Sequence, residues 1–150
     1  MRLDLESGHI VEILEPSADH LYTFSFSTDG QYLAYILRRY DPMLLNIVDL
    51  KTGEYVNYDI LNKSNQAGNI LWSPDQRRIV FGQAIVDYYD QHLFSVIAIN
   101  LAAGSRQVLV LDNPVKMKPD IWIDNNKLEL SCEDGIRRIF DFENNLLYEK

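Results

Sequence analysis

Short apolar stretches alternate with clusters of polar turn residues along the whole chain. The stretches are rich in Val, Ile, Leu, Tyr and Phe, and the clusters in Gly, Asp, Asn and Pro. Apolar stretches bounded by such clusters are typical of β-strands joined by tight turns, and the periodicity of an amphipathic helix is nearly absent. The sequence therefore predicts an all-β protein.

One repeated unit is an apolar strand, a polar turn and a second apolar strand. The unit occurs three times, and each copy has an aromatic residue near the end of its first strand. These residues are Phe26, Trp72 and Trp122, separated by 46 and 50 residues. A repeat of this length accommodates four strands.

A second repeated unit is an apolar residue, Asp or Asn, another apolar residue, two free positions and then Gly or Asn. Its four copies begin at Leu3, Val48, Ile99 and Phe140. The last position predicts a turn residue with positive φ, which Gly and Asn adopt most easily. The Asp or Asn side chain is expected to accept hydrogen bonds from backbone groups two residues further on.

The two units share one period and one phase, which favours a β-propeller with four strands in each blade. We expect all-β, β-propeller-type repeats: three four-stranded antiparallel blades plus one extra N-terminal strand, in a single domain over residues 1–150. The predicted parts are the extra strand at 9–14, blade one at about 20–60, blade two at about 68–111 and blade three at about 119–149.

The strand, Ser-Pro-Asp-Gly turn and strand, followed by Asp-Leu-x-x-Gly, resemble the TolB-like and WD-type propeller repeats. Such repeats also form the propeller of prolyl oligopeptidases. The second copy matches best, with Trp-Ser-Pro-Asp at 72–75. The first has Thr28 in place of the proline but keeps Asp-Gly at 29–30, and the third lacks Ser-Pro. The resemblance implies a propeller fold, which serves many different functions.

Three blades are fewer than the four to eight of typical closed propellers. The outer flanks of blades one and three are therefore expected to be bare and apolar. Three arrangements remain open: a homodimer that forms a six-blade ring, a part of a longer propeller, and an open stack resembling solenoid repeats. We favour the homodimer, in which strand 9–14 serves as an outer strand of blade three.

The charge balance limits the partners of the protein. The 150 residues include 22 acidic and 14 basic side chains, for a net charge of −8. This balance argues against nucleic acid as a partner. No apolar stretch approaches the roughly 20 residues that span a bilayer, and the first residues lack the apolar run of a signal peptide. We expect a cytoplasmic protein with a protein partner and without nucleic-acid or membrane contacts.

Motifs that carry chemistry are absent from the sequence. It contains no GxSxG, GxGxxG or P-loop pattern, and its single cysteine, Cys132, is expected to be a small buried side chain. Propeller loops could bring His20, Asp19, His92 and Asp90 together around a metal ion, but solvated loop residues are the favoured interpretation. We therefore expect no catalytic residue, no metal and no cofactor.

The loops between the second and third strands of blades one and two are long and rich in Tyr and Arg. These residue types dominate binding energy at protein interfaces, and variable loops are where a scaffold binds its ligands. The predicted binding residues are Arg38, Arg39, Tyr40, Asp41, Tyr88, Tyr89, Asp90 and His92.

The sequence thus predicts a non-catalytic scaffold for protein–protein interaction, because structural repeats occupy nearly the whole chain. Two alternatives remain open. One is a ligand-binding or hydrolase-associated propeller with a site on the loop face. The other is a fragment of a larger propeller enzyme.

Overall fold

Strands and turns make up the part of the chain that the computed structural model describes. The described residues are 2–3, 10–11, 20–38, 44–59, 66–86 and 92–150. These ranges contain no helix of the length and apolarity needed to cross a membrane. The all-β prediction is confirmed.

Twelve of the described strands form three four-stranded antiparallel sheets, in each of which every strand pairs with its neighbour in sequence. They are preceded by β1 (Arg2–Leu3) and β2 (Ile10–Val11). Blade one consists of β3 (His20–Phe26), β4 (Tyr32–Arg38), β5 (Leu44–Asp49) and β6 (Tyr55–Asp59). Blade two consists of β7 (Gln66–Trp72), β8 (Arg78–Val86), β9 (His92–Asn100) and β10 (Ser105–Asn113). Blade three consists of β11 (Met117–Trp122), β12 (Lys127–Cys132), β13 (Arg137–Asp141) and β14 (Leu146–Glu149).

The extra N-terminal strand is described at Ile10–Val11, where it pairs with β1, a strand that the sequence pattern did not predict. In this hairpin Leu3 lies opposite Ile10. Val48 lies opposite Tyr55 in the same way in blade one, at the corresponding positions of the second repeated unit. The β1–β2 hairpin therefore has the register of the third and fourth strands of a blade. The predicted pairing of strand 9–14 with blade three stays a prediction.

The turn between the first and second strands is built in the same way in blades one and two. The hydroxyl of Ser27 donates to Asp29 Oδ1 at 2.6 Å and accepts from the N–H of Tyr32 at 2.8 Å. In blade two, the hydroxyl of Ser73 donates to Asp75 Oδ1 at 2.7 Å. These side chains satisfy backbone and hydroxyl groups that a tight turn leaves without strand partners.

A residue with positive φ follows the aspartate in each of these turns. Blade one has Gly30 with φ of +72°, whereas blade two has Gln76 with φ of +60°. A side chain is strained in this conformation. The Gln76 amide, however, donates to Thr28 Oγ1 at 2.5 Å and accepts from the N–H of Thr28 at 3.2 Å. The strained residue thereby joins the turn of blade two to blade one.

The turns between third and fourth strands confirm what the second repeated unit predicts. Its final position has positive φ in all three blades, at Gly53, Gly104 and Asn145. The carboxylate of Asp49 accepts from the N–H groups of Lys51 at 2.7 Å and Thr52 at 3.1 Å. The motif therefore forms the turn between the third and fourth strands of each blade.

A continuous core lies between blades one and two, where apolar side chains of the two sheets interdigitate. Trp72 is buried at its centre. Its ring stacks on Tyr32, with centroids 6.0 Å apart, and its Nε1–H donates to the carbonyl of Ser25 at 3.3 Å. Each partner belongs to blade one, so the tryptophan of blade two is a contact between sheets.

A second core joins blades two and three. Trp122 stacks on Phe142 within blade three, with ring centroids 5.3 Å apart. The Arg78 guanidinium of blade two lies over the Phe142 ring and donates to the carbonyl of Asn125 at 2.8 Å. Each blade thus covers one face of the next. We call the face turned toward the preceding blade the front and the opposite face the back.

The two aromatic anchors of blades one and two predict different effects on stability. Trp72→Ala should lower the free energy of unfolding by about 3–5 kcal/mol, because it leaves a cavity between two sheets. Phe26→Ala removes the aromatic side chain at the corresponding position of blade one, where 52% of the residue is exposed, and should cost under about 1 kcal/mol. Denaturant titration of the two variants measures the difference, and equal losses would contradict the assigned core.

Candidate functional site

Turns between strands occupy one end of the sheets, which we call the turn face; it comprises residues 27–31, 50–54, 73–77, 101–104, 123–126 and 142–145. Its polar groups are largely engaged with one another. Besides the Gln76–Thr28 pair, the N–H of Leu101 donates to the carbonyl of Arg77 at 2.9 Å. Gln107 donates to Asn145 Oδ1 across the junction of blades two and three at 2.8 Å. This face serves the fold.

Hydrogen bonds lower the pKa of aspartates on the turn face. The hydroxyl of Ser27 is the largest cause for Asp29, and the N–H of Thr52 is the largest cause for Asp49. Both carboxylates are therefore favoured in the charged form by the folded structure.

The opposite end of the sheets, the loop face, is where the sequence predicted a binding site. The predicted residues at 39–41 and 88–90 lie outside the described residues. Arg38 is the last residue of β4 and pairs with His20 through the backbone. His92 begins β9, is exposed, and stacks on Phe94 with ring centroids 6.3 Å apart. Of the predicted set, only His92 has a described side chain, so the structure does not test their convergence.

A cavity of about 860 Å³ is lined by Phe94, the residue on which His92 stacks. Its wall includes Thr23 of blade one, the β7 residues around Gly68, the end of β8 and the beginning of β11. The first strand of each blade has a register irregularity in this region: Leu21/Thr23, Gly68/Leu71 and Pro119/Ile121. Such irregularities re-aim side chains and are common beside functional sites.

Gly82 lies against the first strand of blade three in the wall of the cavity. A Cβ at Gly82 would lie 3.5 Å from Cδ of Pro119 and 3.8 Å from the carbonyl oxygen of Met117. Both distances correspond to ordinary van der Waals contact, so β8 and β11 are in close contact here without requiring a glycine. The cavity is therefore formed where blades two and three meet.

Charged groups surround the cavity. Lys116, Lys118 and Arg137 face two carboxylates, those of Asp120 and Glu133. Arg137 pairs with Asp120, which raises the pKa of the guanidinium above its usual range. The Nζ of Lys116 lies 5.9 Å above the ring centroid of Phe94. Cations outnumber carboxylates here, in a chain with a net charge of −8.

Sequence reasoning missed Gln83, which is 5% exposed and lines the cavity. Its position in β8 falls on the buried side of the strand, together with Ile79 and Phe81. A polar residue in an apolar phase was the signal that could have found it. Among the described residues, its Oε1 has no hydrogen-bond partner, and the same holds for Ser131 Oγ in the cavity wall.

The front of blade one is the second candidate surface. Phe24, Phe26 and Tyr55 are 56%, 52% and 67% exposed there, around a buried cluster that contains Leu33 and Tyr35. We call these three exposed aromatic residues the front flank.

The strand pairings show that, among the described residues, the front flank lacks a covering blade. Phe26 pairs with Leu33 in blade one, and Trp72 pairs with Ile79 in blade two. The two aromatic residues therefore hold the same position, but only Trp72 has the back of a preceding blade against it. The front flank is the corresponding surface without such a cover among the described residues.

The back of blade three is different in character. Glu129 is buried there and accepts from Arg137 at 3.1 Å and from Lys150 at 2.5 Å. The register places Ala34 and Val80 at the same position in blades one and two, where each is buried against the next blade. Blade three thus has an ion-pair network where the other blades have an apolar contact. We call Glu129, Arg137 and Lys150 the charged back flank.

The described residues contain no group of three or more His, Cys, Asp or Glu side chains arranged to hold a metal ion. Asp19 and Asp90 of the metal alternative lie outside the described residues. Cys132 is a free, half-buried thiol at the end of β12, and it lines the cavity.

Comparison with solved structures identifies the fold. A prolyl endopeptidase structure matches 96% of this chain over 24% of its own length, with 17% identity and a TM-score of 0.70. TolB from Acinetobacter baumannii matches 91% of this chain over 33% of its own, with 16% identity and a TM-score of 0.67. An oligogalacturonate lyase in complex with manganese matches 98% over 44%, with 17% identity and a TM-score of 0.68. No family model and no curated protein matches the sequence.

These similarities show that the chain has a TolB-like β-propeller fold. The chain spans from about a quarter to less than half of the length of the three structures named above. Identities of this size establish the fold alone.

The aspartates of the turn face predict an acid-sensitive fold. Their pKa values are lowered in the folded state from the ordinary value of about 3.9, so their contribution is present above about pH 4 and is lost as the pH falls through the folded pKa. Asp49→Asn should reduce the free energy of unfolding at pH 7. It should also make this free energy depend less on pH in the acid range.

Denaturant titrations from neutral pH to pH 3 measure this effect. Glu54→Gln is the matched control, because it removes a nearby carboxylate that accepts no hydrogen bond from the backbone of the described turn. If the free energy of unfolding falls with acid in the same way in Asp49→Asn and in the unmodified protein, the role of this carboxylate is contradicted.

Proposed function

We propose that this protein is a non-catalytic interaction scaffold, an arc of propeller blades whose front flank binds another protein. The observation that carries the proposal is the exposure of Phe24 and Phe26 at positions whose counterparts in blade two are buried by a neighbouring blade. Contiguous exposed aromatic residues on a soluble protein are characteristic of interaction surfaces.

The occupant that we propose is a second copy of this chain. A self-complementary surface on a two-fold axis is the commonest way in which soluble chains associate. The front flank supports such a contact, because the exposed rings of Phe24 and Phe26 pack edge-to-face, with centroids 6.1 Å apart, and form one patch that can meet the same patch of a second copy.

Two arrangements of a dimer are distinguishable. The six-blade ring predicted from the sequence places the charged back flank of one copy on the front flank of the other. A front-to-front dimer leaves the charged back flank in water. Burial of the Glu129 network against aromatic rings would desolvate three charged groups, which is unfavourable unless they gain new partners. The front-to-front arrangement is therefore the one that we favour.

The comparisons support a second candidate, an arc within a larger propeller enzyme. Solved structures with this fold include a prolyl endopeptidase and an oligogalacturonate lyase, and the chain matches less than half of either. In this case the front flank would bind a further blade of the same assembly. The exposed aromatic surface is needed in both candidates.

Sedimentation velocity over a micromolar concentration series tests the proposal. The protein should show a species of twice 17.4 kDa, and the double variant Phe24→Lys, Phe26→Lys should sediment as a monomer. The matched control is Ile121→Lys, which places the same charge on the back of blade three, where Ile121 is 58% exposed.

The control decides between the two arrangements. A front-to-front dimer tolerates Ile121→Lys, whereas a six-blade ring is disrupted by it as strongly as by the substitutions on the front flank. A monomer at every concentration contradicts a second copy as the occupant. Circular dichroism of each variant verifies that the sheets are retained.

A further inference from the structure

The described wall of the cavity on the loop face contains buried polar atoms that have no hydrogen-bond partner. Two buried polar atoms, Gln83 Oε1 and Ser131 Oγ, have no hydrogen-bond partner among the described residues, and both side chains line this cavity. Buried polar groups are nearly always paired, so each such atom needs an explanation. Because both atoms line a cavity, the explanation that we consider is a bound ligand that supplies the missing hydrogen-bond partners.

Gln83 is the stronger of the two observations. It is 95% buried, since only 5% of its surface is exposed, and it stands in a strand whose neighbouring inward-facing residues are apolar. Blade one has Leu37 at the same register position. The backbone ladder is therefore compatible with leucine at this position. Its amide can present either an acceptor or a donor toward the cavity.

The charges at the cavity indicate the chemical class of the ligand. Lys116 and Lys118 are both exposed, and Met117 between them is buried, so strand alternation directs both lysines away from the core. Neither lysine makes an ion pair with a described residue, whereas Arg137 is engaged by Asp120 and Glu129. The two ammonium groups and the unpaired amide therefore line the same cavity.

We propose that the cavity on the loop face binds a small polyanion, a polycarboxylate or a phosphorylated molecule, through Lys116, Lys118 and Gln83. The two ammonium groups bind the anionic groups, and the Gln83 amide and Ser131 hydroxyl hydrogen-bond to the ligand. Lysine binds phosphate and carboxylate as a point charge. The volume of about 860 Å³ is within the range of small-molecule sites.

The charges at the cavity disfavour a large acidic surface as the ligand. Glu133 lies at the same cavity and is exposed, so a broad negative partner would meet its carboxylate. A compact molecule presents fewer negative charges to that carboxylate than an extended acidic surface does. The inference concerns the loop face alone, and its test is independent of the test of the front flank.

Isothermal titration with citrate and with pyrophosphate, at constant ionic strength, measures the binding directly. Saturable one-site binding of either probe is expected, and the tighter probe identifies the class of anion. The double variant Lys116→Gln, Lys118→Gln should weaken the binding by at least about tenfold. Lys51→Gln, the same substitution on the turn face, should leave the affinity unchanged.

Gln83→Leu separates a ligand-binding amide from a structural one. The affinity for the bound probe should fall several-fold while thermal stability is retained, because leucine removes an unpaired buried amide oxygen and lies in line with the apolar Ile79 and Phe81. A loss of stability with unchanged affinity overturns the role of Gln83. Absence of saturable binding for both probes, or equal weakening by Lys51→Gln, overturns the site.

Discussion

Burial of one sheet face by the next is the interaction on which the rest of this structure depends. A four-stranded antiparallel sheet has two faces, and a sheet this small is not stable with both in water. Trp72 shows how the requirement is met: its ring fills the junction with blade one while its N–H is satisfied by the carbonyl of Ser25. Packing of one sheet face on the next also brings the first strands of the blades together, and these strands form part of the cavity wall.

Because each sheet needs a face buried, the two outer faces of the described array can be compared for signs of a further contact. The front of blade one exposes aromatic residues, whereas the back of blade three has the ion pairs of Glu129 on its face. The two outer faces of the described blades therefore differ in character: one exposes aromatic rings, and the other has a buried carboxylate paired with two cations.

Repeats also explain which positions of this chain can differ between blades. The turns keep the side chains that their conformation uses, such as Ser and Asp in the first turn of blades one and two, and their polar groups bond within the hairpins, as at Ser27 and Asp49. A position is free to vary only where the fold does not require a particular residue. Gln83 is such a position, because the register allows leucine there in blade one.

Much of the fold was accessible from the sequence, because its determinants are local. Strand alternation and the positive-φ turn residues act over a few positions, and the period of the two repeated units revealed three blades. The β1 partner of the N-terminal strand was missed because two residues make too short a pattern. The loop residues at 39–41 and 88–90 stay a prediction.

The sequence by itself determined the class of fold, the number of blades and the residues that close each hairpin, since each of these follows from neighbours along the chain. Only the tertiary structure decided which faces are covered. Trp72 and Phe26 are equivalent in sequence, yet one is core and the other surface, because burial depends on whether another blade is adjacent. The cavity and the charged back flank are likewise properties of the packed sheets, formed by residues distant in sequence.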